Sequence, residues 1–498
     1  MGFHERTMRA LVLCGFLVAI GANLASAQQF DLVLQGGRVM DTETGLDAVR
    51  NVGVSGGKIV RITAKPLAGG RVIDVRGLVV APGFIDLHQH GQDPDSQRVK
   101  ALDGVTTALE MEIGVPDVAE FLREKQGHSL VNYGTTASHV AARALVFGEP
   151  LPMDVEATAP KIGLPNILPK SGPATDQPAT AEQIAKMQQR LRAELDAGAL
   201  GLGMGIQYTP GATRLEVIDM FRVAAERKLP VYTHLRSFGR VEPGSAIEAL
   251  EEVIAASAIT GAPVHVAHIN STCTHDSLEC LAMIDGARAH GLDVTTEAYP
   301  YLAGMTVVNS AQFEGNWRER LGIDYGDLVL PATGEHLSQK RFEELHASTT
   351  PQSVLVFANT QEVVDAVIPY PGVMIASDGA LGHPRNAGTY SRVLAEYVRE
   401  KKTLTLMEAL RKMTILPAQM LERSTPAARK KGRMQEGVDA DIVVFDPATI
   451  ADRGTFQKPM EPSVGVRYLV VGGAVLVDQG KILEGVFPGK AIRGGSKR

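Results

Sequence analysis

Short apolar runs that alternate with polar residues and break at paired glycines fill residues 30–80, as in DLVLQGGRVMD, NVGVSGGKIVRI and RVIDVRGLVV. This texture predicts β-strands joined by tight turns. It returns near the other end in DADIVVFDP and YLVVGGAVLVDQGKIL, so the two ends are expected to build one small β-domain together. Between them, strand-like runs alternate with amphipathic stretches such as 181–197 and 242–257, the pattern of a parallel α/β arrangement. Strand candidates fall at 83–88, 104–111, 133–140, 199–206, 230–235, 263–268, 292–297 and 373–377, a set that fits a closed (β/α)8 barrel. A ninth run, Val354-Leu355-Val356-Phe357, keeps an open doubly wound sheet as the alternative. Against that sheet, the one Gly-rich candidate, Gly201-Leu202-Gly203-Met204-Gly205, lacks the spacing and downstream acid of a dinucleotide site. Its glycines read as close packing at a strand. The expected organisation is a leader at 1–27, a hydrolase-type barrel at 81–427, and a β-sandwich assembled from 28–80 and 428–498. The Pro- and Ala-rich stretch 151–180 is expected to form a long loop over the barrel mouth.

Composition narrows the function. A chain of 498 residues with 44% hydrophobic content can bury a large core, and its length suggests two or three domains. A formal net charge of -6 without a sustained basic stripe argues against nucleic acid and favours a small-molecule partner. Arg6 and Arg9 precede an apolar run from Ala10 to Ile20 and then Ala25-Ser26-Ala27, the form of a signal peptide with cleavage before Gln28. The run is short of the roughly 20 residues that span a bilayer, so no membrane association is expected after cleavage. The expected location is outside the cytoplasm, periplasmic in a Gram-negative source. Cleavage removes Cys14 and leaves Cys273 and Cys280, which permit one disulfide in an oxidising compartment, a pair of free thiols, or a metal site.

In a β/α barrel, functional groups sit where strands end. The first candidate strand, GFIDLHQH, ends in His88 and His90, and on an extended backbone residues i and i+2 project to one face, so both can grip one ion. The second, TTALEME, ends in Glu110 and Glu112. The fifth, VYTH, ends in His234; the sixth, VHVAH, in His268; the last, MIASD, in Asp378. Taken singly, a strand histidine is more often a buried imidazole satisfied by backbone, and Asp378 in Ser-Asp-Gly could cap a turn. Five strand ends carrying metal-ligand residue types together reverse that weighting. His265 is set aside because its odd spacing points it away from His268.

Four imidazoles and a carboxylate suit Zn2+, as one or two ions, or another divalent metal, with an Asp left to act as base. Glu112 lies nearer the mouth and is the first choice for the ligand carboxylate, with Glu110 as fallback. Neither the third nor the fourth strand contains Lys, so a carbamylated lysine bridge has no candidate there.

With GFIDLHQH, DGVTT, YTHLR, AHIN, EAYPY, ASDG, HPRNAGT and GRMQEGVDADIVVFD in view, the chain resembles the amidohydrolase superfamily, closest to the N-acyl-D-amino-acid deacylases (D-aminoacylases). The resemblance runs from Phe30 through the DADIVVFDP segment. It implies that His88 and His90 hold one metal and His234 and His268 the other, that Asp378 is the catalytic base, and that Tyr299 and Arg385 bind substrate carboxylate or polarise the amide. The expected reaction is hydrolysis of an N-acyl-D-amino acid, by hydroxide generated at a metal, to a carboxylate and a free D-amino acid. Cyclic amides, lactones, peptides with a C-terminal D-residue, or a non-catalytic exported binding module are the alternatives. Three positions depart from the family pattern: Ile113 where a Cys is usual, Asn270 where a Lys is usual, and Met305 where a Ser is usual. Ile113 cannot ligate a metal, so a neighbouring Glu must take that place.

Overall fold

A computed structural model describes residues 29–149, 172–348 and 350–495. The expected leader 1–27 and most of the expected 151–180 loop lie outside the described residues. Eight parallel strands follow one another in sequence order around a single sheet: β1 (Phe84–Asp86), β2 (Val105–Val115), β3 (Asn132–Ser138), β4 (Leu202–Gly205), β5 (Val231–His234), β6 (Val264–Val266), β7 (Val294–Ala298) and β8 (Val373–Ile375). Every residue of these strands is buried, as expected where helices cover one face of a parallel sheet and the barrel interior fills the other. The ring closes beyond the strands: Gln89 bridges Gly379 in parallel, His90 and Gly91 N–H donate to Gly379 O at 2.9 and 3.0 Å, and Gly379 N–H donates to His88 O at 3.3 Å. A Cβ on Gly379 would lie 2.3 Å from Gln89 Oε1, 2.7 Å from Ser377 Oγ and 2.9 Å from Asn386 Oδ1, so a larger residue would have to displace these side chains.

Local signals set the helices. Thr180 and Gln183 cap Ala181–Ala197 reciprocally, and Gly198 ends it in a left-handed conformation. The helix expected from residue 242 starts instead at Ala246, because Pro243 and Gly244 precede Ser245, whose hydroxyl and Glu248 form the capping box. The glycines 201–205 serve close packing: a Cβ on Gly203 would meet Thr136 Oγ1 at 2.5 Å and Glu112 O at 2.7 Å.

The ninth apolar run is not a barrel strand. Ser353–Val356 is the centre of a three-stranded antiparallel sheet with Gly304–Val307 and Leu328–Val329, inserted between β7 and β8. Phe313, Trp317 and Phe342 give this insert its own aromatic core.

Strands from both chain ends share a second sheet of nine strands, in which Val79–Pro82 pairs antiparallel with Ile442–Phe445. The first strand, Gln29–Asp41, pairs with Ala68–Asp74 along its first half and with Val79–Pro82 beyond a bulge at 34–37. Leu34, Val39, Val54, Ile442 and Val470 cluster in its core. The last described residues leave this sheet and run along the barrel, where Ile492 N–H donates to Tyr133 O at 2.7 Å. No helix among the described residues is long and apolar enough to cross a membrane.

Candidate functional site

The C-terminal ends of β1, β2, β5, β6 and β8 bring His88, His90, Glu112, His234, His268 and Asp378 to one buried centre. Ligand atoms of three overlapping sets, His88/His90/Glu112, His88/His268/Asp378 and Glu112/His234/His268, each lie within 4.8 Å of one another. Glu112 stands between the imidazole pairs. Its Oε2 is 3.3 Å from His88 Nε2 and 3.4 Å from His90 Nε2, while its Oε1 is 2.9 Å from His268 Nε2.

All four imidazoles are oriented in the same way. Nδ1 of His88 donates to Glu297 at 2.6 Å, that of His90 to Glu110 at 2.7 Å and that of His234 to the Leu235 carbonyl at 3.0 Å, and Nδ1 of His268 bonds Thr272 Oγ1 at 2.9 Å. With each Nδ1 engaged outward, Nε2 is left as the free lone-pair donor, the arrangement that fixes a metal-ligating histidine. Nε2 of His88 and Nε2 of His90 approach to 3.1 Å. Two imidazole nitrogens and a carboxylate at this separation form a donor set that fits a divalent ion such as zinc.

The electrostatics agree with a centre built for positive charge. Burial opposes charging His88, yet Glu112, Asp378 and Glu297 outweigh it and hold its pKa well above the usual histidine range. Burial likewise pushes Glu112 upward, but His88, His234 and His268 bring it well below the ordinary carboxylate value. Against burial, His88 and His265 lower Glu297 to about 2.

Glu110 and Glu112 take different places. β2 leaves its ladder with β3 between Glu110 and Val115. In that bulge Glu110 Oε1 accepts from Ile113 N–H at 3.2 Å and Gly114 N–H at 3.3 Å, which anchors the carboxylate that orients His90. Glu112 is turned into the centre. Ile113 packs with Tyr208 and Met305 in an apolar cluster. Asn270 is committed to the neighbouring loop, donating to Tyr299 O at 3.0 Å and accepting from Tyr299 N–H at 3.4 Å.

Asp378 and His268 both hold positive φ, +49° and +28°, a conformation rare outside glycine that concentrates at functional sites. Asp378 Oδ1 faces the imidazoles, 3.3 Å from His90 Nε2 and 3.5 Å from His88 Nε2, and its Oδ2 lies 2.8 Å from Arg385 Nη2. Burial raises its pKa, but Arg385 and His88 prevail and keep the carboxyl well below the usual range. Arg385 is fully buried, stacked 4.6 Å over the Tyr299 ring, and its Nε and Nη1 find no hydrogen-bond acceptor among the described residues. Tyr299 Oη is also buried, with Ser271 and Arg385 beside it, and burial pushes its pKa up to about 12, so the phenol keeps its proton.

Three contributors escaped the strand-end reading. Glu297 at the end of β7 joins His88 to His265, whose Nε2 bonds Glu297 Oε2 at 3.1 Å; the set-aside His265 therefore acts through a carboxylate. The signal was present, since the seventh predicted strand also ended in an acid. His383 accepts the Arg385 N–H at Nδ1 (3.0 Å) and donates from Nε2 to Ala303 O (2.9 Å), which starts the helix Arg385–Arg392 and aims its first side chain. Asp86, paired with Lys100 at 2.8 Å, accepts from Ser377 Oγ at 2.6 Å and so ties β1 to β8 beneath the centre.

A family model described as the amidohydrolase family matches residues 171–477. The chain is 31% identical over 481 residues to N-acyl-D-glutamate deacylase of Alcaligenes xylosoxydans xylosoxydans, covering 91% of this chain and 94% of that one. It is 30% identical over 480 residues to the D-aminoacylase of the same organism, covering 90% and 95%. Among solved structures, a D-aminoacylase superposes with a TM-score of 0.78 at 26% identity, over 93% of this chain and 100% of that one. The N-acyl-D-glutamate deacylase of Bordetella bronchiseptica, complexed with zinc and a phosphonate that mimics the tetrahedral intermediate, gives 0.76 at 26% identity over 94% and 100%. Barrel, strand-end ligands and a family match spanning more than half the sequence agree: the chain belongs to the amidohydrolase family.

Proposed function

We propose that this amidohydrolase cleaves the amide bond of N-acyl-D-amino acids, releasing a carboxylate and a free D-amino acid. The observation that carries the reading is the buried Arg385 guanidinium, with two unmet nitrogens, held beside Asp378 and Tyr299 at the rim of a His/Glu/Asp centre. Such a cation calls for a substrate carboxylate, which guanidinium grips through two parallel hydrogen bonds. The names of the relatives supply the D-configuration and the N-acyl group.

His88 and His90 would hold one zinc ion, His234 and His268 a second, with Glu112 between them; zinc bound here lowers the pKa of water and polarises a carbonyl. Asp378 works from Oδ1, since Oδ2 is engaged by Arg385. Oδ1 takes the proton of the water that attacks the amide carbonyl and then gives it to the leaving nitrogen, a general base turned general acid. The Tyr299 phenol donates to the oxygen on which negative charge develops. Arg385 holds the α-carboxylate, so the stereocentre is fixed against Asp378 and Tyr299.

Export to the periplasm belongs to the same reading. It rests on the leader at 1–27 and is supported by Cys273 and Cys280, which pair as a disulfide across the loop after β6. The test of function is amine release by the zinc-loaded protein from paired N-acetyl-D- and N-acetyl-L-amino acids. D-selective release abolished by a chelator is expected. Metal-loaded protein that releases amine from neither series would overturn the reading.

A further inference from the structure

The cavity above the metal centre has one wall supplied by the insert between β7 and β8. That wall joins apolar Met305, Leu321 and Val356, faced by Phe238, to two amide side chains, Gln312 and Asn359. No lysine or arginine lines it among the described residues. Asn359 is the unusual member. Its backbone N–H is anchored on Leu302 O at 3.2 Å, it is only 8% exposed, and both Oδ1 and Nδ2 of its side chain are buried without a hydrogen-bond partner. A buried amide with donor and acceptor both unmet is costly, and in a cavity wall it marks a place where a ligand completes the pairing.

The wall lies where the amino-acid side chain must fall. Gly304 opens the insert directly against the phenol, so that a Cβ there would stand 3.4 Å from Tyr299 Oη. The strand it begins, Gly304–Val307, is hydrogen-bonded to Ser353–Val356, which leads to Asn359. With the α-carboxylate on Arg385 beside Tyr299, the adjoining side chain extends onto this surface. Three kinds of side chain meet it differently. An aliphatic one fits the apolar residues and leaves both Asn359 atoms unmet. A carboxylate satisfies Nδ2 but leaves Oδ1 facing an oxygen that cannot donate, and no lysine or arginine among the described lining residues balances its charge. A primary carboxamide accepts from Nδ2 and donates to Oδ1, closing a two-bond ring.

Building on the deacylase reading, we infer that Asn359 selects substrates whose side chain ends in a neutral carboxamide, N-acyl-D-glutamine or N-acyl-D-asparagine, over acidic ones, although a D-glutamate deacylase is among the most similar relatives. The experiment compares kcat/KM of the zinc-loaded enzyme for the N-acetyl derivatives of D-glutamine, D-asparagine, D-glutamate, D-aspartate and D-methionine. The better carboxamide is expected to exceed its own acid at least about 100-fold and methionine about 10-fold, the size of one or two satisfied buried hydrogen bonds. Asn359→Leu should lower the carboxamide-to-methionine ratio by about 10-fold, and Asn359→Ala should do the same. Because each is a ratio within one protein, partial misfolding does not imitate it. Turnover of the D-series with the acids matching or exceeding their amides overturns the assignment of Asn359 alone. Absence of turnover for every N-acetyl-D-amino acid overturns the deacylase reading and this inference with it.

Discussion

Asp378 Oδ2 lies 2.8 Å from Arg385 Nη2, both side chains buried, so the proposed proton carrier and the proposed substrate anchor are one ion pair. Removing either changes the other. Arg385→Met is expected to lower kcat/KM at least about 100-fold through the lost carboxylate grip. It should also move the acid limb of the pH–rate profile upward, because Arg385 is the largest of the charges that depress Asp378 against burial. A profile whose acid limb stays in place would show that the pair is not coupled in this way.

Asp378→Asn leaves the four imidazoles and Glu112 in place while removing the proton acceptor. We expect kcat to fall about 1,000-fold, within the range of general-base losses, with zinc content by atomic emission unchanged. Equal turnover by the variant would remove Asp378 from the proton transfer, and loss of zinc in parallel with activity would reassign it to ligation.

The two glutamates of β2 should separate cleanly. Glu112→Gln removes the carboxylate that faces both imidazole pairs and is expected to leave at most one tightly bound ion. Glu110→Gln and Glu297→Gln disturb only the orientation of His90 and His88, and zinc affinity should drop roughly 10- to 100-fold at unchanged stoichiometry. Competition titration with a zinc chelator distinguishes the two outcomes.

A pH effect on stability is expected away from the centre. Burial raises the Asp103 pKa to about 6 even though the carboxylate accepts from Tyr390 N–H, Ser391 N–H and Ser463 Oγ. A carboxyl whose folded pKa exceeds its unfolded value contributes stability below the unfolded pKa and loses it as pH rises through the folded one. The stability difference between the wild type and Asp103→Asn should therefore shift by roughly 2 kcal/mol against the wild type between about pH 4 and 7. Urea melts across that range measure it, and a pH-independent difference would contradict the assignment.

What was legible in the sequence followed periodicity. Eight parallel strands lie within or close to their expected segments, and the strand-end rule gathered His88, His90, His234, His268, Glu112 and Asp378 without any contact information. The rule failed where a side chain acts through another. Glu297 touches the centre only by way of His88, and its place at a strand end was the one signal it carried; His383 acts only by way of Arg385 and carries no pattern of its own. The run at 354–357 blurred the strand count because the strands of the insert are as short and apolar as those of the barrel. Only their antiparallel pairing separates the two.

Between neighbouring strands elsewhere the barrel is stitched by ladders, but between β1 and β8 it is clasped, through Gly379 and the backbone of His88–Gly91. The buckle of that clasp is the same chain that carries His88, His90 and Asp378. Whatever draws those three side chains together would also fasten the cylinder, so removal of metal is expected to loosen this closure as well as the centre. In hydrogen exchange, the amides of His90, Gly91 and Gly379 should then be the first in the barrel to lose protection when zinc is stripped.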